Sequence, residues 1–347
     1  MSIHCFYHSA DLDGHCSGAI VKYKFPDAIM HPINYGQEFP WDEITSKDRV
    51  FMVDFCLQPE ILMKNLVEHA GEVNWIDHHK SAIEAVPDSV IKYMLRSLDI
   101  SKAACELTWE YLFPDKPVPL AVKLLSLYDS WTYRGHELEP MVLPFQMRMW
   151  IADFDPQHWK ENSSIWKQLL NVEQYKPTWP SYSVIIEDYI YDGKLLLRYD
   201  EEQKRKYVQT YGFDTVLAVR YNPENLPLDI KWHKAIAVNL GHTNSKVFDS
   251  VWRKECPYCK GKGQVPDKGY ASAYSEGEHE CSPCKGFGYI EPYDLMITFC
   301  RRSDRKWNVS LYSTKPEVDC GSIAKSFGGG GHKGASGFQC EDLPFEY

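Results

Sequence analysis

The sequence predicts an α/β protein: a doubly wound parallel sheet, then a helical connector, then a smaller α/β domain that carries an insertion. Three observations support this. Strand-like and helix-like stretches alternate over residues 1–130, acidic and imidazole residues follow the strand-like runs, and a charged helical stretch precedes a second set of strand-like runs. At 347 residues the chain is long enough for two domains of ordinary size.

Ile3 to Tyr7 is a short apolar and aromatic run and reads as a strand. Gly14 to Phe25 reads as a helix with Cys16, Ala19, Ile20 and Tyr23 on one face. Val50 to Phe55 is a second strand. After it, Pro59 suits a first helical turn, Ile61, Leu62, Leu66 and His69 continue the spacing, and Gly71 closes it. Val73 to Ile76 is a further strand, and helices are expected from Lys102 to Phe113 and from Leu120 to Tyr128. His136 to Trp179, rich in tryptophan and proline, is expected to mix helix and loop. Lys194 to about Tyr211 reads as a helix with a solvated polar face. The expected division is a first domain over 1–192, a linker over 193–212 and a second domain over 213–347, with the insertion at 254–290. Strands of the second domain are expected at Val216 to Val219, Ala235 to Leu240, Leu295 to Cys300 and Trp307 to Tyr312.

A formal net charge of −10 argues against a general duplex-binding protein, though not against a local basic groove for a short anionic substrate. Nowhere do 18 consecutive apolar residues occur, and Met1 to Tyr7 has no basic head, so a soluble cytoplasmic protein with no membrane partner is expected. Of the eleven cysteines, Cys5, Cys16, Cys56, Cys105, Cys300, Cys320 and Cys340 stand singly among apolar neighbours and read as small buried hydrophobes in a reducing compartment.

His8, Asp11 and Asp13 follow the first strand, Asp54 closes the second, and Asp77, His78 and His79 follow the third. In an open parallel sheet the carboxyl ends of the strands line one edge, so these residues meet there. Carboxylates crowded together repel one another and take up protons unless a cation holds them. Aspartate with neutral imidazole suits manganese, iron, zinc or cobalt better than magnesium alone, and two ions are expected.

"HSADLDG", "VDF" and "IDHHKS" resemble the signature motifs of the DHH phosphoesterase family, which includes RecJ-type exonucleases, nanoRNases, cyclic-dinucleotide phosphodiesterases and type II inorganic pyrophosphatases. Asp129, in "LYDSW", is similar to the aspartate of the family's fourth motif. The resemblance implies that His8, Asp11 and Asp54 bind one manganese-like ion and that Asp13, Asp54, His78 and Asp129 bind the other, with Asp54 bridging. It implies further that His79 faces the substrate phosphate, that Asp77 orients the neighbouring imidazole, and that water activated between two Mn2+ ions attacks in line.

"SFGGGGHKGASGF", Ser326 to Phe338, is flanked by apolar residues, unlike a flexible linker, and its glycines allow backbone N–H groups to converge on an anion. With "WNVSLYS", Trp307 to Ser313, it resembles the DHH-associated C-terminal domain. That likeness implies substrate contact by Gly328, Gly329, Gly330, Gly331 and His332. Tyr312 stands where many members have arginine; it either stacks on a base or packs as a strand tyrosine. Arg301, Arg302, Arg305 and Lys306 either add positive charge nearby or form a solvated hairpin tip. The overall pattern looks closest to the nanoRNase NrnB group.

"CPYCKGKG" and "CSPCKGFG" repeat CxxCxGxG, and Cys256, Cys259, Cys281 and Cys284 are expected to close a tetrahedral structural Zn2+ site. The pattern is similar to the zinc modules of DnaJ-type chaperones. The intervening Gln264 to Glu280 is expected to be a loop, with His279 outside the metal shell. The function these features imply is hydrolysis of short single-stranded RNA or DNA oligonucleotides to mononucleotides. A cyclic- or linear-dinucleotide phosphodiesterase, or a 3′-phosphoadenosine phosphatase, is a second enzymatic reading. A binding or scaffold protein that contacts a protein or nucleic acid through the zinc insertion is a third, and a homo-oligomer is compatible with each.

Overall fold

Strands of the first half lie parallel in one sheet, as their uninterrupted apolar runs require, because such strands are buried on both faces. The computed structural model describes residues 1–159, 164–171, 184–221, 229–241, 243, 245–266 and 278–347. The chain forms two compact units, Met1–Arg198 and Tyr199–Tyr347.

The first unit runs β1 (Ile3–His8), α1 (Leu12–Lys24), β2 (Ile29–Ile33), β3 (Arg49–Val53), α2 (Ile61–His69), β4 (Glu72–Asp77), α3 (Lys80–Ala85), α4 (Asp88–Ile91), β5 (Leu95–Leu98), α5 (Ala104–Leu112), α6 (Leu120–Asp129), α7 (Glu139–Met149) and α8 (Ile165–Leu169). A 28-residue helix, α9 (Val184–Tyr211), then passes from the first unit into the second. The sheet order is β2-β1-β3-β4-β5, all parallel. One face packs under α1, α5 and α6 through Cys16, Ile20, Trp109 and Leu124. The other packs under α2 and α4 through Met63, Trp75 and Ile91. Both faces are covered, as the doubly wound expectation requires. From β1 the chain steps outward to β2 and then back across to β3, and it is at such a switch point that the carboxyl ends of the strands open a crevice.

Several elements differ from expectation. β2 contains Pro32, which is tolerated because β2 is an edge strand. The opposite edge, β5, is the polar "LRSL". β3 stops at Val53 because Asp54 takes a left-handed backbone conformation, φ 55. The connector helix begins at Val184, ten residues before Lys194. Its first turns are not a solvated linker: Ile186 and Ile190 are buried against the first unit's apolar layer, and Gly193 lies so close to Pro144 that a Cβ would sit 1.8 Å from its carbonyl oxygen. Within His136 to Trp179, α7, α8 and a short turn of helix at Pro156–His158 form, while residues 160–163 and 172–179 lie outside the described residues.

The second unit contains β6 (Phe213–Tyr221), β7 (Asp229–Asn239), β8 (Lys254–Glu255), β9 (Gln264–Pro266), β10 (Glu278–Glu280), β11 (Tyr289–Ile290), β12 (Leu295–Arg301), β13 (Trp307–Tyr312), α10 (Cys320–Ser326), β14 (Gly330–Gly331) and β15 (Ala335–Cys340). Its main sheet has the order β14-β15-β13-β12-β7-β6, with β7 and β12 parallel and the other neighbours antiparallel. Leu217, Ile297, Val309, Ile323 and Phe338 form one apolar layer, with α10 packed on it. Val208, Val238, Phe248 and Met296 form the other. Between β7 and β12, two short ladders, β8 with β11 and β9 with β10, carry the cysteine pairs. The loop expected over Gln264 to Glu280 thus supplies strand at both ends, including the backbone of His279, and 267–277 lie outside the described residues. Among the described residues no helix is long and apolar enough to cross a membrane.

A candidate metal centre at the switch point

His8 ends β1, and the turn after it places Asp11 as the N-cap of α1, its carboxylate accepting from the Gly14 N–H at 3.0 Å. Gly14 is required here: a Cβ on it would lie 2.1 Å from the His8 carbonyl oxygen. The tight turn brings Asp11 Oδ2 to 3.0 Å from His8 Nδ1. Asp13, in the first turn of α1, is buried and accepts from the N–H groups of Ala104 and Cys105 at 2.9 and 2.8 Å, at the start of α5. The positive end of that helix favours a carboxylate there.

Asp54 occupies the centre. Its left-handed backbone turns the side chain into the crevice, where Oδ2 lies 3.6 Å from His8 Nδ1 and Oδ1 lies 3.4 Å from His78 Nε2. His78 Nε2 also stands 3.7 Å from Asp13 Oδ2 and 3.2 Å from Asp129 Oδ2 at the end of α6. Asp77, at the end of β4, braces the group from behind its two histidines. Its Oδ1 accepts from the N–H groups of His78 and His79 and, at 2.8 Å, from His79 Nδ1. This holds the proton on Nδ1 of His79, and the Asp77 carboxylate raises the affinity of the ring for a second proton on Nε2.

Thus the six side chains proposed from sequence as ion ligands are brought together. His8, Asp11 and Asp54 form one group, Asp13, His78 and Asp129 a second, and Asp54, His78 and His79 a third. Their donor atoms fit a metal. Two donors each about 2.1 Å from an ion stand about 3.0–3.4 Å apart at right-angled or tetrahedral geometry, close to the separations seen. Asp54 is 1% exposed, yet neither of its carboxylate oxygens has a hydrogen-bond partner, and His8 Nδ1 has none either. A buried carboxylate without donors is costly unless a proton or a cation satisfies it.

The electrostatics point the same way. Burial raises the acidities' midpoints of Asp54 and Asp13, and the field of Asp54 adds to the effect on Asp13. Burial and the field of Asp13 push Asp129 up to about 7. Burial disfavours charge on His8, but the carboxylates of Asp11 and Asp54 beside it outweigh that and push the imidazole up to about 10. His78 is likewise pushed up to about 9 by Asp54 and Asp13 against its burial. For Asp11, burial works upward but is outweighed by His8 and the Gly14 N–H, which hold it low. A shared excess of negative charge thus retains protons that a cation would displace.

One residue of this site was not expected. Asn34, just beyond β2, places Oδ1 3.3 Å from His8 Nε2 and accepts from the Tyr35 N–H at 2.8 Å. It orients the imidazole so that Nδ1 faces Asp11 and Asp54.

In the second unit the four cysteines lie together, each buried. Sγ of Cys256 and Cys281 are 3.8 Å apart, and those of Cys259 and Cys284 3.6 Å. A tetrahedron with Zn–S bonds of about 2.3 Å has edges of about 3.8 Å, so the donor set fits zinc. The two knuckles are near-copies: Lys260 and Lys285 have φ 48 and 50, and Gly263 and Gly288 each donate to a sulfur at 3.3 Å. Of the scattered cysteines, Cys300 and Cys340 are half-buried and the other five buried, all as free thiols.

The glycine run forms the turn after α10 and the short strand β14, paired with β15. Gly328 and Gly330 leave open space, whereas Gly329 and Gly331 lie against β15, where a Cβ would come within 2.1 Å of Gly337 O and 2.6 Å of Ser336 Cα. His332 is exposed in the turn that follows. Tyr312 is half-buried on the apolar layer beside Phe248, with its OH directed at the Thr243 carbonyl at 3.5 Å. At the β12–β13 hairpin tip, Arg302 pairs with Asp304, Lys306 with Glu341, and Arg301 stacks on Trp307.

No protein-family model matches the chain. An uncharacterized protein of Acanthamoeba polyphaga mimivirus is 26% identical to it, across 98% of this chain and 69% of that protein. Among solved structures, an exopolyphosphatase-related protein from Bacteroides fragilis is similar at TM-score 0.42 and 14% identity, covering 98% of this chain and 87% of that one. A pGpG-specific phosphodiesterase from Vibrio is similar at TM-score 0.39 and 12% identity, covering 97% and 92%. An uncharacterized Helicobacter pylori protein is similar at TM-score 0.32 and 15% identity, covering 99% and 94%. The chemistry of the site rests on its own residues.

Proposed function

We propose that the chain is a metal-dependent phosphodiesterase of the DHH type, nearest the NrnB-like nanoRNases, that hydrolyses short single-stranded oligonucleotides to mononucleotides. The supporting observation is Asp54: a buried carboxylate with two unpartnered oxygens, one turned to His8 and Asp11 and the other to His78 and the Asp13–Asp129 pair. His8, Asp11 and Asp54 would hold one manganese-type ion, and Asp13, Asp54, His78 and Asp129 the second. Such a pair supplies a water-derived nucleophile at neutral pH and charge stabilisation for the phosphoryl oxygens. His79, its Nδ1 proton held by Asp77 and its side chain 39% exposed, presents Nε2 to the substrate phosphate. Gly328 to Gly331, His332 and the exposed part of Tyr312 are assigned to substrate contact, and the four cysteines to one structural zinc.

The test is hydrolysis of 5′-labelled di- to pentanucleotides by purified protein with manganese. Release of mononucleotides, lost on chelation, supports the reading. Intact substrate with fully loaded protein refutes it, and faster loss of long strands than of dinucleotides would make it a processive exonuclease instead.

A further inference from the structure

A cavity of about 360 Å³ adjoins the candidate metal centre, and none of the roles above uses it. Its volume falls among small-ligand pockets of roughly 300–1,000 Å³. Phe39, Phe55 and Leu57 make a buried apolar floor, and Trp41, half-buried, forms a side wall. The rim is polar: Gln37 and Gln58 are both exposed there. Two links tie the cavity to the cluster. Phe55 directly follows Asp54, and Tyr35 on the rim has its ring 4.7 Å from Phe55 and 5.6 Å from His8.

The lining says what would bind. It contains no lysine or arginine, and Glu38 is part of it, so a phosphate is not its occupant. Aromatic walls favour a flat ring, since stacking on an aromatic face accepts any base. The rim amides favour a ring with a hydrogen-bonding edge. Gln37 Oε1 already accepts from the Asn34 N–H at 2.8 Å, so its NH2 group is left to donate outward, while Gln58 can donate and accept. A nucleotide has its phosphate and base separated by one sugar, and the floor begins one residue beyond the central carboxylate of the cluster.

We propose that this cavity takes the heterocyclic base of the nucleotide whose phosphate lies at the ion cluster, with Trp41 and Tyr35 flanking the ring and Gln37 and Gln58 reading its edge. This rests on the phosphodiesterase reading, which supplies the phosphate. It makes the β2–β3 segment a determinant of affinity for nucleotides over other phosphoesters.

The test is calorimetric titration of the full, manganese-loaded chain with a nucleoside 5′-monophosphate and with ribose 5-phosphate. The base should tighten binding about 10- to 100-fold, the range that stacking supplies. Trp41→Ala should bring the ratio of the two affinities to within about threefold of unity, and Gln58→Ala, at the exposed rim where folding is not at risk, should reduce it by a smaller factor. Equal affinities in the unaltered chain, or a ratio unmoved by both substitutions, overturn the proposal. Hydrolysis of a dinucleotide and of its abasic counterpart, run in parallel, separates the two readings. Equal cleavage of both refutes the base pocket and leaves the phosphodiesterase. Cleavage of neither, with a Trp41-dependent base preference in binding, refutes the phosphodiesterase and leaves the pocket.

Discussion

Replacing Asp54 with asparagine should destabilise the metal-free protein at pH 8 and abolish its response to metal. Asparagine keeps the shape of the side chain and removes one charge. At pH 8 the buried imidazoles of His8 and His78 hold protons that the Asp54 carboxylate helps to keep, so its neutral replacement leaves those groups without a matching partner. An unsatisfied buried polar group costs about 1–3 kcal/mol. A unit spanning Met1–Arg198 shifts in Tm by about 2–4 °C per kcal/mol, so chelated Asp54→Asn should melt about 2–12 °C lower than the chelated parent at pH 8. With manganese at 100 times its Kd the parent should gain about 2.7 kcal/mol, and the variant little of it. Differential scanning calorimetry at pH 8, with chelator and then with excess manganese, reads both effects. Oligonucleotide hydrolysis should fall by more than about 100-fold, beyond the loss typical of a mere supporting residue. A metal-free variant that melts with the parent and still responds fully to manganese would refute the reasoning, since Asp54 would then hold neither the imidazole protons nor the ions.

Proton and metal should compete at the cluster. Groups whose midpoints are raised by folding contribute stability that is full below their unfolded values and lost as pH rises through the folded ones. For Asp129 that window runs from about 4 to about 7, and for His78 and His8 from about 6.5 to about 9 and about 10. Metal-free stability should therefore fall from pH 4 upward, while apparent manganese affinity rises between pH 6 and 8 by up to about tenfold per unit for each proton displaced. Titration calorimetry in buffers of different ionisation enthalpy counts those protons, and an affinity flat across that range contradicts the assignment. Asn34→Ala frees the His8 ring and should weaken manganese binding about 10- to 100-fold with circular dichroism unchanged. Gly263→Ala keeps all four cysteines but puts a Cβ 2.1 Å from the Gly286 carbonyl oxygen, so elemental analysis should show zinc reduced as far as in Cys256→Ser; full zinc in the glycine variant would mean the knuckles tolerate a different turn.

What was legible in the sequence follows from burial. β1, β3 and β4 are covered on both faces, so their apolar runs are continuous and the residues that end them, His8, Asp54 and Asp77, stand out. β2 and β5 are edges, one broken by Pro32 and the other polar, and neither shows the pattern of a buried strand. Missing β2 also hid Asn34, whose only sequence signal is a polar residue after a strand that was not recognised. The cysteine knuckles were readable because sulfur spacing is set locally, within one turn. The cavity was not, because its walls come from residues 34–41 and 55–62, irregular stretches brought together by the pairing of β1 with β2 and with β3. The connector helix is expected only after Gly193, a residue that usually breaks a helix, whereas its beginning at Ile186 and Ile190 packs on the first unit and carries the helix through that glycine.

Asp13 and Asp54 are both buried, both raised by burial, and both assigned to the second ion, yet the effects of neutralising them should follow pH differently. Asp13 is not an orphan: its two oxygens accept the first N–H groups of α5, and its charge sits at the positive end of that helix. An amide in its place retains one good acceptor and turns an NH2 toward a donor, so one of the two N–H groups loses its partner. Loss of a helix cap of this kind costs about 0.5–2 kcal/mol, enough to outweigh the relief of like-charge repulsion from Asp54. Chelated Asp13→Asn should therefore melt below the parent at pH 8 and at pH 10 alike, while the deficit of chelated Asp54→Asn should shrink as the pH passes the imidazole midpoints of about 9 and about 10, and both should lose activity. If the two deficits follow pH in the same way, the division of labour between a carboxylate that anchors the fold and one that exists for protons and ions is wrong.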